Sequence, residues 1–182
     1  RTYMQLEHIE ITNFKGIRHE EFSFAPAVNL IIGDNGTGKT SILEAISVAL
    51  GGFISGTSVL GVHFSKDEIR RENELLGDGS NNIQYKTPVK VECDLRIEGE
   101  DESYHFVRQK KSVKSSRSTV EPRDICKKAS QMADDSTKIL PVISYQGISR
   151  ISNQKREGWI DVFKDDFSRV VAYIGCLNEV SN

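Results

Sequence analysis

Apolar positions along the chain fall into short runs with two different spacings. Residues 6–11 (LEHIEI) are rich in strand formers with partly alternating polarity, which predicts a half-exposed strand. The turn Asn13-Phe14-Lys15-Gly16 follows, then a second short strand around residues 21–24. Residues 28–32 (VNLII) form a short apolar run of the kind buried in the middle of a sheet. After a glycine-rich turn, residues 40–50 place Ile42, Leu43, Ala45, Ile46, Val48, Ala49 and Leu50 around most of a helix. Such a helix needs cover on more than one side. Gly51-Gly52 is expected to end it.

Weaker patterns follow. Ser65 with Glu68 three positions later predicts a capping box for a short charge-rich helix ending near residue 76, with a loop at 77–82 (GDGSNN). Residues 89–97 and 104–111 read as two strands joined by the acidic turn at 98–102. A helix is predicted from Pro122 to about residue 133, with proline in its first turn. Residues 139–145 (ILPVISY) predict another buried strand, and residues 159–177 have helical spacing, with Trp159, Phe163, Phe167 and Tyr173 on one apolar face. The order predicts an α/β fold with a central mixed sheet and a β-hairpin.

Composition narrows the functional classes. The 182 residues are 37% hydrophobic and 27% charged, and 24 Lys+Arg against 26 Asp+Glu give a net charge of -2. A globally basic nucleic-acid binder is excluded, though a local basic patch is not. Arg108, Lys110, Lys111, Lys114 and Arg117 make such a stretch, but the serines between them and the lack of interleaved aromatics favour a solvated loop. No apolar run approaches the roughly 20 residues that cross a bilayer. The sequence starts at Arg1 without a signal-peptide core, so a cytoplasmic location is expected and no membrane partner. Cys93, Cys126 and Cys176 are widely spaced and fit reduced thiols. His8, His19, His63 and His105 lack metal-site spacing and read as structural or surface residues.

The strongest chemical signal is Gly33-Asp34-Asn35-Gly36-Thr37-Gly38-Lys39-Thr40, a full match to the phosphate-loop (Walker A) pattern G-x-x-x-x-G-K-[ST]. Glycines let successive backbone N–H groups turn inward and form an anion nest. The helix that follows adds its unpaired N-terminal donors and the positive end of its dipole. Lys39 supplies a mobile charge for the β- and γ-phosphates, and the Thr40 hydroxyl is a hard ligand for Mg²⁺. ATP and Mg²⁺ are the expected ligands, held by Asn35, Gly36, Thr37, Gly38, Lys39, Thr40 and Ser41. An N-K-x-D segment for guanine is missing from the sequence.

The flanking residues choose within the phosphate-loop proteins. NFKGI at 13–17, then VNLIIGDNGTGKTSILEAI at 28–46, resembles the N-terminal lobe of the RecF/SMC group of ABC-type ATPases. The segment LPVISYQGISR at 140–150 is similar to that group's Q-loop region, and Cys176-Leu177-Asn178 to a further block in bacterial defence ATPases such as PtuA of Septu and some retron systems. The resemblance implies that Gln146 senses nucleotide and Mg²⁺, and that Lys15, in the turn after the first strand, is a secondary phosphate ligand. The alternatives are a solvent-exposed turn glutamine and an Asx-type turn carrying an exposed lysine.

Hydrolysis in this class needs an acidic residue for Mg²⁺ and a carboxylate that orients water. No apolar run ending in Asp-Glu occurs, since VECD at 91–94 lacks the second acid, and no L-S-x-G signature is present. The expectation is an N-terminal lobe spanning 1–182, holding half of an ATPase site. In the complete protein the resemblance implies hydrolysis between two paired heads, a homo-oligomer, and DNA-directed or antiphage function. The alternative is an ATP-sensing regulatory subunit that controls an associated nuclease. A small-molecule kinase would need a lid and an acceptor pocket where this chain has a β-hairpin.

Overall fold

The computed structural model describes residues 4–57, 64–75, 77, 81–147, 173 and 176. Its elements are β1 (Met4–Phe14), β2 (Ile17–Ser23), α1 (Lys39–Ile54), β3 (Arg71–Leu75), β4 (Asn81–Tyr85), β5 (Val89–Ile97), β6 (Tyr104–Lys110), β7 (Thr119–Glu121) and α2 (Asp124–Asp134). Five strands form one sheet in the order β2-β1-β5-β6-β7, and β3 and β4 form a separate pair. Every pairing between these strands is antiparallel. With α1 and α2 packed against the sheet, the class is α/β, as the pattern predicts.

Period-2 alternation builds the sheet. Along β5, Val89, Val91, Cys93, Leu95 and Ile97 are buried while the residues between them are half-exposed. The register sets Cys93 opposite Ile9 on one side and Phe106 on the other, so β1, β5 and β6 present one continuous apolar face. Ile42, Ala45, Val48, Ala49 and Phe53 of α1 and Ile125, Ala129 and Met132 of α2 complete that core. Each large side chain buried there contributes about 1.5–3 kcal/mol against exposure. The opposite face of the sheet is polar, with His105 Nδ1 2.6 Å from Asp94 and Lys90 Nζ 2.9 Å from Glu92. The predicted hairpin over 89–111 is β5–β6.

Four expectations are corrected. Gly51-Gly52 does not end α1, which continues to Ile54. A Cβ on Gly52 would lie 2.7 Å from the Phe106 ring and 3.2 Å from Arg108 Cδ, so glycine lets the helix sit directly on β6. That contact outweighs the roughly 1 kcal/mol that glycine costs inside a helix. The helix over 65–76 is replaced by a turn and β3. Half of the capping box forms, Ser65 N donating to Glu68 Oε2 at 2.7 Å. Ile69, however, bridges to Phe14, and β3 has no apolar stripe to hold a helix on the core.

Residues 28–32 are not a buried strand. Val28, Leu30 and Ile32 are 91, 80 and 83% exposed. The Asn29 amide bonds both the N–H and the carbonyl of Ala25, which organises a turn there. Nor is 139–145 a ladder strand: its burial alternates, with Pro141 and Ile143 inward and Val142 96% exposed. That segment is anchored by Tyr173, whose hydroxyl donates to the Pro141 carbonyl (2.6 Å) and whose ring meets Phe53 edge-on. Trp159, Phe163, Phe167, His63, Leu177 and Asn178 lie outside the described residues.

The basic stretch also divides. Lys111, Lys114 and Arg117 are exposed, as a solvated loop requires, but Arg108 and Lys110 are buried. Arg108 lies beneath α1, donating through Nη1 to the Val48 carbonyl (2.6 Å) and through Nη2 to Ser118 Oγ (2.9 Å). Burial lowers its pKa to about 10. Its position on β6, two residues after Phe106, puts it on the inward face by register alone.

Candidate nucleotide site

The segment 33–40 folds as a tight loop that opens straight onto α1. Gly36 (φ 87°) and Gly38 (φ 93°) take left-handed conformations that side chains rarely adopt. Gly33 is needed for a different reason, because a Cβ there would lie 2.9 Å from Thr37 Oγ1. Thr37 closes the loop, its N–H (3.3 Å) and its hydroxyl (2.8 Å) both donating to the Asp34 carbonyl.

Gly38 is the N-cap of α1 and provides no side-chain cap, and the first turn carries no acid. The helix therefore offers its N-terminal N–H groups and the positive end of its dipole to whatever the loop encloses. Lys39 arches back over the loop, Nζ donating to the carbonyls of Gly33 (2.6 Å) and Asp34 (2.5 Å). Thr40 is exposed and Ser41 half-exposed in the first turn, and Asn35 and Gly36 are exposed at the loop's rim. The loop residues named from sequence thus come together as one cradle.

Lys15 reaches the same helix from β1. The end of that strand and the turn after it hold Asn13 (φ 56°) and Lys15 (φ 48°) in left-handed conformations. For lysine this costs roughly 1–2 kcal/mol. Lys15 N donates to the Glu68 carbonyl (2.7 Å), Arg70 N to the Asn13 carbonyl (2.8 Å), and Asn13 Nδ2 to the Pro88 carbonyl (3.0 Å). The Lys15 ammonium then meets Glu44 Oε2 of α1 at 2.5 Å. This lysine is not the freely exposed side chain of the alternative reading. Beside it, burial raises the Glu68 carboxyl above the ordinary range, an effect that its bond from Ser65 N and the charge of Lys15 partly offset.

Gln146 is exposed, and its amide donates to Ser144 Oγ (3.0 Å) on its own segment. The structure joins Lys15 to α1 but shows no such bond between Gln146 and the loop. Among the described residues no group of three or more His, Cys, Asp or Glu converges as a metal site. Also among them, no helix is long and apolar enough to cross a membrane.

The family model of the AAA domain matches residues 8–182. The chain belongs to this family. The chain is similar to the DNA double-strand break repair Rad50 ATPase of Saccharolobus solfataricus, 24% identical over 171 residues, which are 94% of this chain and 17% of the relative. The DNA replication and repair protein RecF of Shewanella baltica is 36% identical over 105 residues, 53% of this chain and 28% of the relative. RecF of Heliobacterium modesticaldum is 43% identical over 49 residues, 27% and 13% of the two chains. The chain therefore spans less than a third of these relatives. The RecF/SMC resemblance carried by NFKGI and the glycine loop agrees with these three matches.

The sequence pattern gives Glu44 no role at the site and gives Glu68 only a place in the capping box. Glu44 stood in the LEAI block as part of a motif, and its place one helical turn beyond Thr40 was the available signal: positions four apart share a helix face.

Proposed function

We propose that the AAA domain of this chain binds ATP with Mg²⁺ through residues 33–41 and serves as the ATP-binding lobe of a RecF/SMC-like ATPase acting in DNA repair. The observation that carries this reading is the cradle itself, a left-handed glycine loop running into an uncapped helix N-terminus with Lys39 across its mouth. Neutral or cationic ligands have no use for that arrangement, whereas a chain of phosphates matches it.

The donor set also fits Mg²⁺. Thr40, exposed in the first turn of α1, offers a hydroxyl oxygen beside the loop, and Mg²⁺ in such sites takes its remaining ligands from phosphates and water. The ion would neutralise phosphate charge; Gln146 is the second candidate for contact with it. The chain's own residues enclose and orient the triphosphate: the N–H groups of Gly36 and of 38–41 face it, and Lys39 exchanges its two carbonyl partners for phosphate oxygens. Asn35 and Thr37 stand at the rim, and Lys15, paired with Glu44 one turn further along α1, is the secondary phosphate ligand.

The exposed rows Val28, Leu30, Ile32 and Ile139, Val142 lie on the two segments whose sequences read as buried strands. We read them as the edge on which the second lobe of the ATPase packs, bringing the hydrolytic carboxylates to the loop. In the complete protein two heads then pair around nucleotide, with DNA as the polymer acted on; antiphage defence is a further use of the same engine. The test is the oligomeric state and ATP turnover of the full-length protein. ATP-dependent dimers that consume ATP support the reading. ATP-bound protein that neither dimerises nor turns over would replace it with an ATP sensor that regulates a partner such as a nuclease.

A further inference from the structure

Three features converge on Glu44. It is the second-turn residue of α1 on the same face as Thr40, with Cβ atoms of such a pair about 5–6 Å apart. Its side chain is 15% exposed, and its carboxylate is in direct contact with the Lys15 ammonium. Lys15 is locked by its backbone bond to Glu68 in a left-handed conformation that points the side chain at α1. Strain of this kind persists where the surroundings over-determine it, and it gathers at functional sites.

We propose that Glu44 is a positioning residue that holds the Lys15 ammonium in reserve one helical turn below the phosphate loop, and that bound triphosphate draws this lysine away from Glu44. The inference rests on the phosphate-loop reading above and adds a control on its affinity. A carboxylate and a phosphate compete for the same three N–H donors of an ammonium group. While Glu44 keeps them, part of the cation's attraction for nucleotide is spent within the protein. Glu44 itself is neutralised by the pair, so its charge does not repel phosphate from the mouth of α1. The ion pair also ties the turn after β1 to α1, and nucleotide binding releases that tie.

The experiment is a double-mutant cycle on ATP·Mg²⁺ affinity, with thermal unfolding as a check on folding. Glu44→Gln keeps the shape and removes the competing charge; binding should tighten about fivefold, the scale of a partly exposed ion pair. Lys15→Met should weaken binding by a similar factor, and Lys15→Arg should restore it. The double variant should stay weaker than wild type, because no cation is left to be released. If it regains wild-type affinity, Lys15 acts only by masking Glu44, and the proposal is overturned. If Glu44→Gln binds more weakly than wild type, Glu44 is structural and the proposal is likewise overturned. Lys39→Ala separates the two levels: ATP binding that survives it refutes the phosphate loop, whereas its loss with an unresponsive Glu44→Gln refutes the reserve lysine alone.

Discussion

Lys39→Ala should lower ATP·Mg²⁺ affinity on the order of 100-fold while the protein stays folded. The ammonium bridges the carbonyls of Gly33 and Asp34 at the mouth of the loop, and both bonds are to an exposed segment outside the core. Losing them costs the fold little, since water replaces the donor. A phosphate chain loses a charge-assisted partner worth about 1.5–3 kcal/mol, and the upper end corresponds to a factor of roughly 100. Isothermal titration of wild type and variant measures it. Undiminished affinity would place the nucleotide elsewhere.

Gly56→Ala is the corresponding prediction for the scaffold. A Cβ at Gly56 would lie 2.1 Å from the Cys126 carbonyl oxygen and 2.7 Å from its carbon. These are backbone atoms of α2, so no rotamer change relieves the clash and the two helices must separate. The same seam holds Cys126 Sγ 3.4 Å from the Gly52 carbonyl and 3.5 Å from Ser55 Oγ. Overpacking against backbone should cost about 3 kcal/mol. For a domain of this size the unfolding midpoint should fall by about 6–12 °C. Gly16→Ala is the control: a Cβ there meets nothing within 4 Å, and its midpoint should barely move. An equal loss in both variants would mean that the α1–α2 contact is looser than described.

Period-2 segments were readable from sequence because local pattern and burial coincide in them. β5 and β6 alternate strictly enough that their faces follow, β1 alternates only in part and its register shifts between Leu6 and His8, and the glycine loop follows from the φ angles its motif requires. What escaped reading depended on contacts between distant residues. Gly52 reads as a helix stop until Phe106 and Arg108 lie against it. Arg108 reads as one charge in a basic run until the register turns it under α1. The apolar runs 28–32 and 139–145 signal strands, but a strand needs a neighbour, and no described strand pairs with either. Glu44 was hidden by its own motif: the block identified a family, while its chemistry lies in an ion pair with a lysine 29 positions earlier.

On the proposed reading, triphosphate sits against the backbone of 36–41. The most direct measurement follows backbone amide resonances of labelled protein during titration with ATP and Mg²⁺, with adenosine as the comparison. Triphosphate bound there should give saturable shifts centred on Gly36, Gly38, Lys39 and Thr40, reaching Lys15 and nearly absent with adenosine. Shifts that leave these amides untouched, or that adenosine reproduces in full, would contradict it.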